Sequence, residues 1–149
     1  MSAITMKVVL VLLSYFCLSS APIGRFGELP ESSCFKGCGC SFRSVSAPDG
    51  PALFCSNYEG AARIIVDGRV MSLAAVKADQ RCQPSRVGER CKLEYSGHDV
   101  LVTIKAKATT VCSSSDENES CEVVELRGRF TGQVGDVEES HEVLGECGC

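Results

Sequence analysis

The chain has 149 residues, with 15 Lys or Arg against 19 Asp or Glu, 11 cysteines and no tryptophan. A net charge of −4 argues against general nucleic-acid binding, which depends on an excess of bases to neutralise phosphates. The cysteine content is the main anomaly, and it frames the reading of the rest.

Met1 to Lys7 form a short n-region with one positive charge, and Val8 to Leu18 (VVLVLLSYFCL) are almost uninterruptedly apolar or small. Ser19-Ser20-Ala21 then supplies the small residues expected near a signal-peptidase cut. An apolar run of about 11 residues is too short to cross a hydrocarbon core, which takes roughly 20. Residues 1–21 are therefore expected to be a cleavable export signal, with no membrane span left after cleavage. Cys17 follows the bulky Tyr15-Phe16, where a lipid-attachment box would be small, so no lipid anchor is expected. Cleavage leaves 128 residues with a net charge of −5, enough for one domain with a real core.

Residues 22–33 contain Pro22, Pro30 and two glycines, and read as a flexible entry segment. The single disulfide-rich domain is expected over residues 34–149. Within it the apolar pattern has a period of two, punctuated by turns. Short strands are expected at Cys40–Val45 and Ala52–Ser56. Ala61–Val66 leads through Asp67-Gly68, a strong two-residue hairpin signal, into Arg69–Val76. Only Met71–Ala78 has a composition that would also suit a helix. Arg90–Tyr95 is expected to turn through Ser96-Gly97-His98 into Asp99–Thr109. There Val100, Val102, Ile104, Ala106 and Ala108 would face inward and Leu101, Thr103, Lys105, Lys107 and Thr109 outward, because successive strand side chains point to opposite faces. Glu122–Thr131 repeats the pattern, with Val124, Leu126, Gly128 and Phe130 inward, and returns through Gly132–Gly135 into Asp136–Leu144. About eight short strands at close spacing predict an all-β fold, a small antiparallel barrel or sandwich stapled by disulfides.

Ten cysteines remain after the signal: Cys34, Cys38, Cys40, Cys55, Cys82, Cys91, Cys112, Cys121, Cys147 and Cys149. An even, dense set behind an export signal reads as a disulfide framework in an oxidising compartment. Cys82 with Cys91, and Cys112 with Cys121, each bracket a polar loop and are expected to pair locally. The other six allow 15 connectivities. Two Cys-Gly-Cys units, 38–40 and 147–149, stand near the ends of the domain. A bond inside such a tripeptide would be strained, so the units are expected to pair with partners outside themselves and, if the first and last strands are neighbours, with each other. The alternative is a thiolate site for Zn²⁺ or Cu(I) made by Cys38, Cys40, Cys147 and Cys149, or a redox dithiol served by Lys36 and Arg43.

No Gly-rich phosphate loop and no nucleophile elbow is present, so neither a cofactor nor a catalytic residue is expected from motifs. His98 and His141 fall in no metal or nucleophile motif and are expected to face solvent. Asn118-Glu119-Ser120 fits the N-glycosylation pattern. Charge is unevenly spread along the chain. Residues 116–146 hold Asp116, Glu117, Glu119, Glu122, Glu125, Asp136, Glu138, Glu139, Glu142 and Glu146 against only Arg127 and Arg129, whereas residues 61–107 hold nine bases against five acids. The acidic third would attract a cationic protein.

In order, Cys38-Gly-Cys-Ser-Phe42, Leu53-Phe54, Ile65-Val-Asp-Gly-Arg69 and the terminal Gly145-Glu-Cys-Gly-Cys149 resemble a family of small exported bacterial proteins of unknown function. That resemblance implies export and no particular activity. The hairpin-rich plan is also similar, more faintly, to the periplasmic C-type lysozyme inhibitors, which are small β-barrels. Ser96-Gly97 matches the start of their Ser-Gly-x-x-Tyr contact motif, but Val100 stands where the Tyr belongs. The function expected is thus binding without catalysis, with inhibition of a cationic hydrolase and thiol-based metal or redox chemistry as alternatives.

Overall fold

A computed structural model describes residues 25–78, 81–112 and 123–149. Nine strands form one antiparallel sheet: β1 Phe26–Gly27, β2 Gly39–Ser44, β3 Ala52–Asn57, β4 Ala61–Val66, β5 Arg69–Ala75, β6 Arg90–Gly97, β7 Val100–Thr110, β8 Val123–Val134 and β9 Val137–Gly148. From β2 to β9 each strand pairs with the next, β2 also pairs with β9, and the ring of eight closes. The fold is an up-and-down barrel, so the choice between barrel and sandwich falls to the barrel. Closure is tightest from β6 to β9 and looser between β5 and β6, where only Ala74 with Ser96 and Ala75 with Tyr95 pair.

Alternation sets which side chains fill the barrel. On β7, Val100, Val102, Ile104, Ala106 and Ala108 are all buried, as their period of two requires. Phe42, Phe54, Tyr95 and Phe130 are the largest fully buried side chains, with Phe54 against Tyr95 at 5.3 Å between ring centroids. An eight-stranded barrel has an interior just wide enough to be filled by side chains, and these aromatics fill it.

The hairpins are tighter than expected. Gly97 pairs with Val100, which leaves His98-Asp99 as a two-residue turn, and both residues take positive φ (52° and 61°). The turn expected at Ser96-Gly97-His98 thus begins two residues later and is one residue shorter, because the strands stay paired up to Gly97. Likewise Val134 pairs with Val137 and the turn is Gly135-Asp136, so β8 runs straight through Gly132. Asp67-Gly68 is the turn expected, with φ of 49° and 78°. The stretch with helix-compatible composition is strand as far as Ala75, since pairing of Ala61–Val66 with Arg69–Ala74 outweighs a weak local preference.

Residues 25–33 correct the reading of a flexible entry before Cys34. Phe26 pairs with Val66 and Gly27 with Ile65, and Leu29 bridges Ala52. Phe26 enters the core edge-on to Phe130, 5.3 Å between centroids, and Leu29 is fully buried. A single 3₁₀ turn at Glu31–Ser33 follows. A two-residue strand is too short to show any period in sequence, which is why its role is invisible there. The packed domain therefore begins before Cys34.

Among the described residues, one buried polar group has no good partner. The Tyr95 hydroxyl is sealed inside the barrel with no hydrogen bond of acceptable geometry. Desolvation pushes its phenol above the ordinary range, with the Ser56 hydroxyl pulling the other way. Leaving a buried hydroxyl unsatisfied costs about 1–3 kcal/mol, so Tyr95→Phe is expected to raise unfolding free energy by about 1 kcal/mol at neutral pH. A raised folded pKa means stability that is complete below the unfolded value, about 10, and lost as pH rises through the folded one. Urea titrations from neutral pH to above pH 10 should show this alkaline loss in the parent protein and a flatter limb in the Phe variant.

Candidate functional site

The cysteines gather at one end of the barrel. Cys40 and Cys147 lie directly opposite each other on the closing β2–β9 pair, and Cys38 and Cys149 continue the same register one step past the strand ends. Both pairs are disulfides, Cys38–Cys149 and Cys40–Cys147, with Cα atoms 4.0 and 4.1 Å apart. Residues two apart on a strand share a face, so the bonds stack. Cys40–Cys147 points into the core and Cys38–Cys149 sits at the exposed rim. The four sulfurs of the alternative metal or redox site are thus joined as disulfides, and a disulfide sulfur is not a thiolate ligand.

Cys34–Cys55 tacks the entry segment onto the outer face of β3, and the local pair Cys82–Cys91 forms as expected. Cys82 is fully buried and belongs to the core cluster, so its loop is anchored as well as closed. Cys112 is also disulfide-bonded, while Cys121, its expected partner, lies outside the described residues. The Asn118 glycosylation motif lies outside them too.

Between the entry segment, the β2–β3 connection and the C-terminal strand runs an open groove of about 990 Å³ on the outside of the barrel. Its walls include Phe35 and Lys36 on one side, Asp49 to Ala52 on another, and Glu146 to Cys149 on the third. Arg63 holds the first wall: its guanidinium donates to the Ser33 carbonyl at 2.8 Å and stacks over the Phe35 ring at 4.3 Å. Arg43 crosses the floor, donating to the Pro48 carbonyl at 3.3 Å and lying 3.8 Å from Glu146. Three disulfides, 34–55, 38–149 and 40–147, thereby fix a groove made of segments far apart in sequence.

The described acids of the acid-rich third are spread over both ends of the barrel. Glu142 pairs with Arg129 at 2.8 Å, and Glu146 faces Arg43. Glu139 accepts from the Arg25 backbone N–H at 2.8 Å and meets His141 Nε2 at 2.6 Å, at the opposite end of the barrel. His141, expected in solvent, is half-buried there, 6.1 Å from the Phe130 ring centroid. Nearby, the Arg25 guanidinium holds the Asp67 carboxyl below its usual range through a hydrogen bond at 2.8 Å. Asp116, Glu117, Glu119 and Glu122 lie outside the described residues.

The bases, in contrast, converge. Lys92, Lys105 and Arg129 are successive cross-strand partners on β6, β7 and β8, and two residues along, Arg90, Lys107 and Arg127 form a second such row. All six side chains are exposed on the outer face. Sequence alternation placed Lys105, Lys107, Arg127 and Arg129 outward, but only the register across three strands puts the six together. Set against protein-family models, curated proteins and solved structures, the chain matches none of them.

Proposed function

We propose that this chain is an exported, disulfide-stabilised barrel that acts by binding rather than by chemistry. The observation that carries this reading is the filled, covalently stapled barrel. Aromatic side chains occupy the interior, so contact with a ligand falls to the outer surface. Disulfides hold that surface in one shape, which lowers the entropy lost when a partner docks. Structural disulfides persist in oxidising compartments, which supports export together with the N-terminal signal pattern. No helix among the described residues is long and apolar enough to cross a membrane.

The test is the intact mass of the protein purified from its export compartment, before and after alkylation without reductant. The expected product begins between residues 20 and 22, lies ten hydrogens below the reduced mass and takes up no alkylating agent. Alkylation at Cys38, Cys40, Cys147 or Cys149, or bound Zn or Cu in the native spectrum, would overturn the reading in favour of thiol chemistry. Salt-sensitive retention on an immobilised C-type lysozyme would instead support the hydrolase-inhibitor alternative.

A further inference from the structure

The two rows of like charge on β6–β8 are costly where they stand. Side chains directly opposite on neighbouring strands lie about 4.5–5.5 Å apart at Cβ, and like charges in such positions destabilise a sheet. Here the arrangement is repeated four times: Lys92 opposite Lys105, Lys105 opposite Arg129, Arg90 opposite Lys107, and Lys107 opposite Arg127. Among the described residues, carboxylates offset this in part, with Lys92 on Glu94 at 2.5 Å, Arg129 on Glu142 at 2.8 Å, and Glu94 also feeling the Lys105 charge. Among the described residues none comes within salt-bridge range of Arg90, Lys105, Lys107 or Arg127. Among the described residues, four cations on one face thus have no carboxylate within ion-pair range, and such a face attracts anions.

We infer that the outer face of β6–β8 binds an anionic polysaccharide, through Arg90, Lys92, Lys105, Lys107, Arg127 and Arg129. Strand spacing of about 4.8 Å and a two-residue step of about 6.8 Å make a cationic patch about 10 by 7 Å on the convex outer face, suited to several anionic groups on one extended chain. A third row beside it is hydroxylated: Thr103 opposite Thr131 opposite Ser140, with the Thr131 and Ser140 hydroxyls 3.2 Å apart. Hydroxyls flanking cations fit a sugar polymer, whose own hydroxyls need partners between its charged groups. The outward positions of these strands carry no aromatic residue on which a nucleic-acid base would stack. This face is distinct from the disulfide-framed groove, and the inference deepens the binding reading and rests on it.

The test uses the oxidised mature protein with heparin as the probe, followed by affinity chromatography and by titration calorimetry at several salt concentrations. Retention is expected, with affinity falling as salt rises, since counterions are released from a charged polymer as bases neutralise it. The variant Lys105→Gln/Lys107→Gln/Arg127→Gln should lose affinity by at least about tenfold at low salt, with a shallower salt slope, since fewer counterions are released. The same variant should melt higher than the parent at low salt, because the repulsion is gone, so loss of binding cannot be ascribed to misfolding. Arg69→Gln, on the β4–β5 hairpin and outside the rows, should bind as the parent does. No retention, or retention unchanged in the triple variant, would overturn the proposal while leaving the binding reading to its own mass test. Tighter binding to a single-stranded oligonucleotide or to vesicles with anionic headgroups would overturn it too, by assigning the face to another class of anion.

Discussion

Replacing Cys38, Cys40, Cys147 and Cys149 together by Ala is expected to cost about 6–7 kcal/mol, against about 2 kcal/mol for removing either bridge alone. The asymmetry follows from nesting. The two bridges span 111 and 107 residues, so they close almost the same loop of the unfolded chain. In the chain-entropy model the first to form removes the entropy of a loop of about 100 residues, worth about 4.7 kcal/mol. With that loop closed, the second ties off a ring of only about six residues, worth about 2 kcal/mol by the same relation. Either one therefore insures the other. The buried Cys40–Cys147 bridge should cost on the order of 1 kcal/mol more than the rim bridge, because Ala leaves a gap in the core. Total stabilities of domains are about 5–15 kcal/mol, so the fourfold variant sits close to unfolding at room temperature. Urea unfolding of the two double variants and the fourfold variant, with their m-values, checks the prediction. Costs that simply add would show that the bridges act through local packing rather than through the shared loop.

That closure was the part of the fold least visible in sequence. Alternation made β7 and β8 legible because half their faces are wet, and Asp67-Gly68 was legible because few dipeptides accept two positive φ values. His98-Asp99 carries the same backbone without glycine, and the neighbouring Gly97 drew the expected turn to itself although it is a paired strand residue. The β2–β9 pairing joins residues 99 to 109 apart, and no local pattern encodes it. The two Cys-Gly-Cys units hinted at it only as one pairing among many. The cationic rows were hidden for a related reason. Alternation tells which face a side chain takes, but not which residue of the next strand lies opposite. A shift of two residues between β6 and β7 would keep every face and place Lys92 opposite Thr103 or Lys107 instead of Lys105. Linear charge counts marked residues 61–107 as base-rich, but only the folded sheet sets Arg127 and Arg129, from the acid-rich third, beside those bases.

Two inward glycines set how tightly the barrel can coil, and substituting them should separate two kinds of crowding. Gly145 lies opposite Phe42, and a Cβ there would fall 2.2 Å from the Phe42 ring, which is fully buried and packed on Phe54. A Cβ on Gly128 would fall 2.1 Å from the Lys105 carbonyl oxygen and 2.6 Å from the Ala106 Cα, both backbone atoms of the neighbouring strand. Overpacking a core typically costs 1–3 kcal/mol, so Gly145→Ala is expected to cost about 3 kcal/mol and Gly128→Ala somewhat more, since strands must part. The difference lies in rescue. Phe42→Leu alone should destabilise by about 1.5 kcal/mol through lost packing, yet in the Gly145→Ala background it should restore stability, with a coupling of about 1–3 kcal/mol. Ala106→Gly should give Gly128→Ala no comparable relief, because the nearest obstacle is a carbonyl that every residue carries. A urea double-mutant cycle on each pair measures both couplings. A Gly145→Ala variant indifferent to Phe42→Leu would mean that the ring has room to move, and that Phe42 does not need its glycine.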